Sequence, residues 1–214
     1  MENKKIYRPE NYQDLLDDIE LSSGRILEII EPFDLNFPQT RNQSVEWEIQ
    51  FPMFVEVFYD CVIKNTIPTQ QIFFEYYLVF NKSFFDENKF DSTILDGLKA
   101  RVYRTYPSLI RDLYFNKYVK ENLPDMNVLY NITLDVAEGI DLMIEKNGFF
   151  CAVNLYTNTS RARYARSKKQ NRHTPFNNVN YIEFPVNFKG SLNCGNFFLY
   201  GNTEFLNLKK IIRL

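Results

Sequence analysis

The chain has 214 residues, 45% of them hydrophobic, so it can form one large domain or a domain with a helical extension. No stretch approaches the roughly 20 apolar residues of a membrane helix, and the polar N-terminus is not typical of a secretion signal. Three widely spaced cysteines and a single histidine argue against zinc sites, a disulfide framework and His-based triads. We therefore expect a cytoplasmic protein with no membrane partner.

The net charge of −2 hides an uneven distribution of charge. Residues 1–100 hold 9 Lys/Arg and 18 Asp/Glu, and residues 101–214 hold 16 and 9, which gives balances of −9 and +7. Such a chain can present one basic face to phosphate, although the two halves can also simply neutralise each other. We predict an acidic, mainly helical region over 1–100, packed on or covering a core over 101–214.

The first region shows apolar residues at helical spacing, which predicts helices over 12–30, 45–63 and up to about residue 80. The Ser22-Ser23-Gly24 run interrupts the first helix, and Pro52 marks the beginning of the second helix or a break in it. Pro68 fits the first turn of the third helix. This acidic extension could recognise a partner protein, mediate self-association or cover the basic face.

The second region begins with a predicted helix over 107–122, with Pro107 in its first turn. Alternating apolar residues then predict strands over 127–135, 139–144 and 149–156, with an Asn-Gly hairpin turn before the last. A helix over 161–172, strands over 179–186 and 197–200 and a closing helix over 203–212 follow. The prediction is an α/β (α+β) fold with the order αβββαβ.

Asp141 lies in the sequence Glu138-Gly-Ile-Asp-Leu on the second predicted strand. With the element order and the basic helix after the third strand, this segment resembles the core of the restriction-endonuclease-like PD-(D/E)XK nuclease superfamily. Transposase endonuclease subunits are a more distant likeness, because Asp112 follows Ser108 at the spacing of their helix Glu. The resemblance implies Mg²⁺- or Mn²⁺-dependent hydrolysis of DNA in a restriction, defence or mobile-element system.

Nucleases of this class hold metal ions between converging carboxylates, which activate water and stabilise charge at the phosphate. The resemblance assigns metal binding to Asp141 and to Asn154 on the third strand, with Asp112 or Glu138 as a further acid and Asp135 as a weaker candidate. A carboxylate inside an apolar strand is costly unless it is paired or metal-bound, although an Asp at a strand end can be merely solvated.

The third strand departs from the superfamily motif, which expects an acid two residues before a lysine. Here the sequence is Asn154-Leu155-Tyr156, and a tyrosine cannot replace a lysine as a cation. Either a basic residue of the following helix supplies the charge, with Arg161, Lys168 and Lys169 within reach and the two lysines as the catalytic candidates, or the site is weakened or inactive.

The helix over 161–172 contains six basic residues and no acid, a pattern that suggests contact with DNA phosphates. Its candidate nucleic-acid-binding residues are Arg161, Arg163, Arg166, Lys168, Lys169 and Arg172. A second basic cluster, Arg101, Arg104 and Arg111, either adds phosphate contacts or packs on the acidic half. The alternative function is a non-catalytic nuclease-fold subunit that binds nucleic acid or a partner protein.

Overall fold

The computed structural model of the protein describes residues 5–160, 174–186 and 191–212. It confirms a mixed α+β architecture. The helices are α1 (Ser23–Ile30), α2 (Phe54–Ile63), α3 (Gln70–Phe80), α4 (Lys82–Asn88), α5 (Ser92–Asn122), α6 (Ile132–Glu138) and α7 (Asn202–Ile211). The strands are β1 (Asn127–Leu129), β2 (Leu142–Lys146), β3 (Phe149–Thr157), β4 (Val179–Val186), β5 (Leu192–Cys194) and β6 (Phe197–Leu199).

The main sheet has the strand order β1-β2-β3-β4. β1 and β2 pair antiparallel, as do β2 and β3, whereas β3 and β4 run parallel in a register that joins Asn154 to Glu183. The predicted Asn-Gly turn joins β2 to β3, and both Asn147 and Gly148 have the positive φ that such a turn requires. β5 and β6 form a separate hairpin.

The predicted strand over 127–135 is wrong beyond its first residues. β1 ends at Leu129, and Asn131 caps α6 by accepting hydrogen bonds from the N–H groups of Thr133 and Leu134, at 2.8 and 3.3 Å. Asn is a strong N-cap, and this cap outweighs the alternating pattern of the segment. Gly139 ends α6 with φ of 68°. The first residue of the Gly-Ile-Asp sequence is therefore a helix terminus.

Other boundaries in the first region also differ from the prediction. Residues 12–21 contain a turn at 15–17 but no helix, and α1 begins only after Ser22, whose hydroxyl accepts from the Arg25 N–H. The predicted helix over 45–63 is divided into a π-helical turn (Ser44–Glu48) and α2. The helix predicted from residue 107 is the second half of α5, which starts at Ser92 and runs through Pro107.

Gln70 explains how α5 accommodates Pro107. A proline inside a helix has no N–H for the carbonyl of the residue four positions earlier, here Tyr103. The buried side-chain amide of Gln70 donates to that Tyr103 carbonyl at 2.9 Å. The side chain also exchanges hydrogen bonds with the backbone of Asn36, so a single glutamine holds the loop before α2 against the Pro107 region of α5.

The sheet is covered on both faces. On one face the apolar side chains of β2, β3 and β4 share a large core with α5 and with the helices of the first region, and Phe115 stacks on Phe184. On the other face a smaller core contains Met143, Ala152 and residues of α6, together with Tyr7 from the N-terminal segment. The boundary predicted at residue 100 falls inside α5, the helix that both regions pack against.

The N-terminal segment of residues 5–19 is fastened to the second region. Lys117 of α5 donates to the carbonyls of Leu16 and Ile19, at 3.2 and 2.9 Å. Asp14 accepts from the N–H of Tyr130 at 2.9 Å and forms an ion pair with Lys120. Across the described ranges, no helix is long and apolar enough to cross a membrane.

Candidate functional site

A small cavity lies where α5, α6 and the start of β2 meet. It has a volume of about 20 Å³, which is room for one water-sized species. Three carboxylates, two tyrosines and two aliphatic side chains line it: Asp112, Asp135, Asp141, Tyr59, Tyr130, Val55 and Leu109. The structure therefore brings together two predicted metal ligands, Asp112 and Asp141, and adds Asp135.

Asp112 comes from the middle of α5, one turn after Ser108. Burial raises the pKa of its carboxyl to about 7, the positive charge of Arg111 opposes this shift, and the negative charge of Asp135 adds to it. Arg111 is buried as well, and its Nε donates to the carbonyl of Phe198 in β6 at 2.8 Å. Asp112 is consequently a group that changes its protonation near neutral pH.

Asp141 immediately precedes β2, so it lies at the end of the strand rather than inside it. Its N–H donates to the carbonyl of Val153 at 3.2 Å, and its Oδ2 accepts the N–H of Leu155 at 2.6 Å. The Asn116 amide donates to the Asp141 carbonyl at 3.2 Å and joins this turn to α5. These bonds hold the carboxylate at the point where β2 and β3 start to pair.

Asp135, the weaker acid candidate of the sequence, also lines the cavity. On a strand it would have been one of several alternating polar residues, but on α6 it points to the cavity, and the Tyr130 hydroxyl donates to its Oδ2 at 2.8 Å. The capping signal at Asn131, four residues earlier, was the available clue to this placement.

Tyr59 and Tyr130 form one wall of the cavity as a stacked pair, with ring centroids 4.4 Å apart. Burial and the nearby carboxylates raise the pKa of both hydroxyls well above the ordinary value, so both stay protonated. The buried Tyr59 hydroxyl comes near the Asn116 amide and the Tyr130 hydroxyl, yet it makes no hydrogen bond of normal geometry to any described residue. The amide oxygen of Asn116 is likewise buried without a described partner.

Asn154 lies on β3 but does not line the cavity. Its amide donates to the Glu183 carboxylate on β4 at 3.1 Å, whereas its amide oxygen is buried and has no partner in the described part of the chain. Glu183, which belongs to no motif of the sequence, thus lies beside the motif position. Tyr156, at the position of the motif lysine, is half-buried and in register with Pro185.

Glu138 is separated from the cavity. It forms an ion pair with Lys5 of the N-terminal segment, on the side of α6 that faces Tyr12 and Tyr181. Because an ion pair already compensates its charge, Glu138 is a structural acid in this arrangement.

The basic residues predicted to contact DNA divide into two groups. The candidates of the helix over 161–172, including Lys168 and Lys169, lie outside the described residues. In the second cluster, Arg101 donates to the Val45 carbonyl, and Arg104 pairs with Glu46 and donates to the Thr40 carbonyl at 2.9 Å. Arg101 and Arg104 therefore secure the loop over 38–46, as the packing interpretation of that cluster expected.

Comparison of the chain with models of protein families found no match, and comparisons with characterised proteins and with solved structures found none either. Within residues 5–160, 174–186 and 191–212, no group of three or more His, Cys, Asp or Glu side chains converges closely enough to form a metal site. The three cavity carboxylates share one space without meeting at a single point.

Proposed function

We propose that this chain is a metal-dependent nuclease that hydrolyses phosphodiester bonds of DNA, in a restriction, defence or mobile-element system. The observation that carries the proposal is the cavity shared by Asp112 of α5 and Asp141 at the start of β2. In its favour, β1, β2 and β3 are consecutive neighbours in the sheet and β4 lies beside β3. The order αβββαβ that the resemblance implies has no helix between its first two strands, where this chain has α6.

The donor chemistry of the cavity suits Mg²⁺ or Mn²⁺. Both ions prefer oxygen ligands, and carboxylates are the side chains that bind them best. The cavity of about 20 Å³ has room for one such ion, although the carboxylates must turn toward it to coordinate it together. A bound divalent cation would supply charge stabilisation at the phosphate and a more acidic water.

The remaining chemistry belongs to residues of the chain. Asp112 and Asp141 would hold the ion, and the N–H of Leu155 keeps the Asp141 carboxylate in place. Arg111, buried beside Asp112, limits the repulsion between the acids. A cationic group for the phosphate would come from Lys168 or Lys169, because Tyr156 cannot provide one.

The experiment is a cleavage panel of single-stranded, duplex and supercoiled DNA with Mg²⁺ and with Mn²⁺. Asp141→Asn keeps an acceptor for the Leu155 N–H but removes the charge, so we expect it to fold and to lose at least about 100-fold in cleavage rate. The matched control is Asp125→Asn, at an exposed position away from the cavity. Equal cleavage by both variants, or none by the wild type, contradicts the proposal.

A second candidate is a non-catalytic subunit of the same fold that binds nucleic acid. The observation in its favour is β3, where Asn154 and Tyr156 stand in place of an acid and a lysine. It predicts salt-sensitive DNA binding that survives Asp141→Asn and is lost when Arg163, Arg166 and Lys169 are neutralised. DNA-binding isotherms of the wild type and of both variants, measured at two salt concentrations, distinguish this binding function from the nuclease function.

A further inference from the structure

We infer that a surface pocket beside the π-helical turn Ser44–Glu48 binds an unpaired nucleotide of single-stranded DNA, with its base stacked on Trp47 and its phosphate paired with Arg41. The pocket has a volume of about 410 Å³ and is lined, in the described part of the chain, by Arg41, Asn42, Gln43, Glu46 and Trp47. A volume of several hundred Å³ is typical of pockets that hold a small organic molecule. This inference deepens the proposed function by naming its substrate class, and it rests on that function for the choice of DNA.

The first argument is the exposed indole. Trp47 is the single tryptophan of the chain, and it is 72% exposed. Stacking of a base on an aromatic side chain changes affinity by roughly 5- to 150-fold and is tolerant of sequence, because every base has a flat face. The neighbouring Gln43 amide offers a donor and an acceptor to the edge of such a base. Bases of a duplex are already stacked on each other, so an unpaired base is the better ligand.

The second argument is that α5 holds the turn that carries Trp47. Arg101 donates to the carbonyl of Val45, whose side chain is fully buried, and Arg104 forms an ion pair with Glu46. π-helical turns are rare and occur frequently at functional sites. A ring presented from a turn that is already fixed loses little conformational freedom when a ligand stacks on it.

The wall of the pocket that Asn42 forms is fixed as well. Its Oδ1 accepts the N–H of Val45 at 3.3 Å. α5 approaches so closely that a Cβ added at Gly97 would lie 2.6 Å from the Cβ of Asn42. The pocket is therefore built against the helix and is not a fold of a loose loop.

The third argument is the local charge. Residues 38–48, with the Arg101 and Arg104 that hold them, contain three arginines and two glutamates, a balance of +1 within an acidic region. Glu46 is already paired with Arg104. Arg41 is exposed and lines the pocket, and a guanidinium matches the geometry of a phosphate group. An exposed cation beside an exposed indole suits a ligand that is both aromatic and anionic, which is the chemistry of a nucleotide.

The position of the pocket agrees with a role in holding the substrate. Among the described residues, it shares none with the cavity of Asp112 and Asp141. Arg104, which pairs with Glu46, lies about two turns before Asp112 on α5, or roughly 12 Å along the helix axis. The two sites are close enough for a single strand of several nucleotides to reach both.

The test uses Trp47 itself as the probe. Because the chain has one tryptophan, emission excited beyond the tyrosine absorption reports on this pocket alone. Single-stranded oligothymidylate, its duplex with oligoadenylate and thymidine monophosphate are titrated into the full chain, with a chelator present to prevent cleavage. We expect the single strand to quench the emission, and the duplex to need at least about tenfold higher concentration for the same effect.

Variants are compared by fluorescence anisotropy of a labelled oligothymidylate, because changes at Trp47 remove the intrinsic probe. We expect the dissociation constant to rise about tenfold or more in Trp47→Ala, less in Trp47→Tyr, which keeps an aromatic face, and about threefold or more in Arg41→Gln. The matched controls are Phe80→Ala and Arg25→Gln, an exposed aromatic and an exposed arginine that do not line the pocket, and their affinity should stay unchanged. All four positions are exposed, so circular dichroism should show folded variants.

Three results overturn the inference. The first is unchanged Trp47 emission with saturating oligothymidylate, or wild-type affinity in Trp47→Ala. The second is tighter binding of thymidine monophosphate than of the strand, which would assign the pocket to a free nucleotide. The third is emission that changes with protein concentration in the absence of DNA, which would assign the pocket to self-association.

Cleavage measured in parallel separates this inference from the proposed function. Binding of single-stranded DNA that depends on Trp47, without cleavage of any substrate, supports the pocket and contradicts the nuclease function. Cleavage that depends on Asp141, with the same KM for single-stranded DNA in Trp47→Ala as in the wild type, supports the nuclease function and overturns the role of the pocket.

Discussion

Asp112 of α5 and Asp135 of α6 line the same small cavity, and the charge of Asp135 contributes to raising the pKa of Asp112 to about 7. The two acids are 23 positions apart in the chain, and a single turn of α6 brings them together. Burial of Asp112, together with this repulsion, makes the stability of the protein depend on pH.

Asp112→Asn should stabilise the metal-free protein at alkaline pH. The pKa of Asp112 rises from its ordinary 3.8 to about 7 on folding, so the folded state binds more protons than the unfolded state between these values. Wild-type stability therefore falls as pH rises through this window. Because the cavity retains some solvent access, we expect a gain of ~1–2 kcal/mol at pH 8, or roughly 3–6 °C in Tm.

The gain should shrink as pH falls and disappear near pH 3, below the ordinary pKa of 3.8, where Asp112 is mainly protonated in both states. Thermal unfolding in the presence of a chelator at a series of pH values is the measurement, with Asp125→Asn as the exposed control. If Asp112→Asn were less stable than the wild type at pH 8, the prediction would be wrong, and the ionised Asp112 carboxylate would have to be stabilised by a strong partner in the folded state.

Gln70 and Pro107 offer a test of how α5 is stabilised. Gln70→Leu removes the donor to the buried Tyr103 carbonyl and also the bonds to Asn36, so we expect a loss of ~2–3 kcal/mol in the free energy of unfolding. In a Pro107→Ala background, the new N–H at position 107 can bond to the Tyr103 carbonyl. The same Gln70→Leu change should then cost ~1 kcal/mol less.

Urea denaturation of the four proteins of this double-mutant cycle gives the coupling free energy. Gln50→Leu, at an exposed position outside α3 and α5, is the control. Additive effects of the two changes would show that the Gln70 amide does not substitute for the missing N–H of Pro107.

The sequence predicted the mixed fold class, the Asn-Gly hairpin and β2 to β4, because these depend on local turn chemistry and on apolar runs. It did not predict that α5 passes through Pro107, because the compensating donor, Gln70, is 37 positions away. It placed residues 130–135 on a strand, since their alternation competes with the cap at Asn131. The same misplacement hid that Asp135 lines the cavity, because its place on α6 brings it there.

The N-terminal segment should control the stability of the cavity wall. Asp14→Ala removes the acceptor for the Tyr130 N–H and the ion pair with Lys120, so we expect a loss of ~2 kcal/mol and weaker Mn²⁺ binding. Lys120→Met removes only ion pairs and should cost less than ~1 kcal/mol, without a change in Mn²⁺ affinity. If the two variants changed the Mn²⁺ affinity equally, the bond from the N-terminal segment to the Tyr130 N–H would have no specific effect on the cavity.

Asn154→Asp restores an acid at the motif position and tests whether β3 takes part in the cation site. The change removes the donor to Glu183 and places two carboxylates in neighbouring register positions, so we expect a loss of ~1–2 kcal/mol at pH 8. Like charge and burial raise the pKa of the new carboxyl, so this loss should shrink toward pH 4. Glu183→Gln should compensate it, because the new amide can donate to the aspartate.

Mn²⁺ shows whether β3 contributes a ligand to the proposed cation site. If Asp112 and Asp141 hold the ion without β3, Mn²⁺ raises the Tm of Asn154→Asp by the same amount as that of the wild type, since the new charge does not contact the ion. If β3 contributes a ligand, Mn²⁺ stabilises Asn154→Asp more than the wild type. Differential scanning fluorimetry with and without Mn²⁺ decides between them, and the Asn154→Asp, Glu183→Gln double variant controls for the altered pairing of β3 and β4.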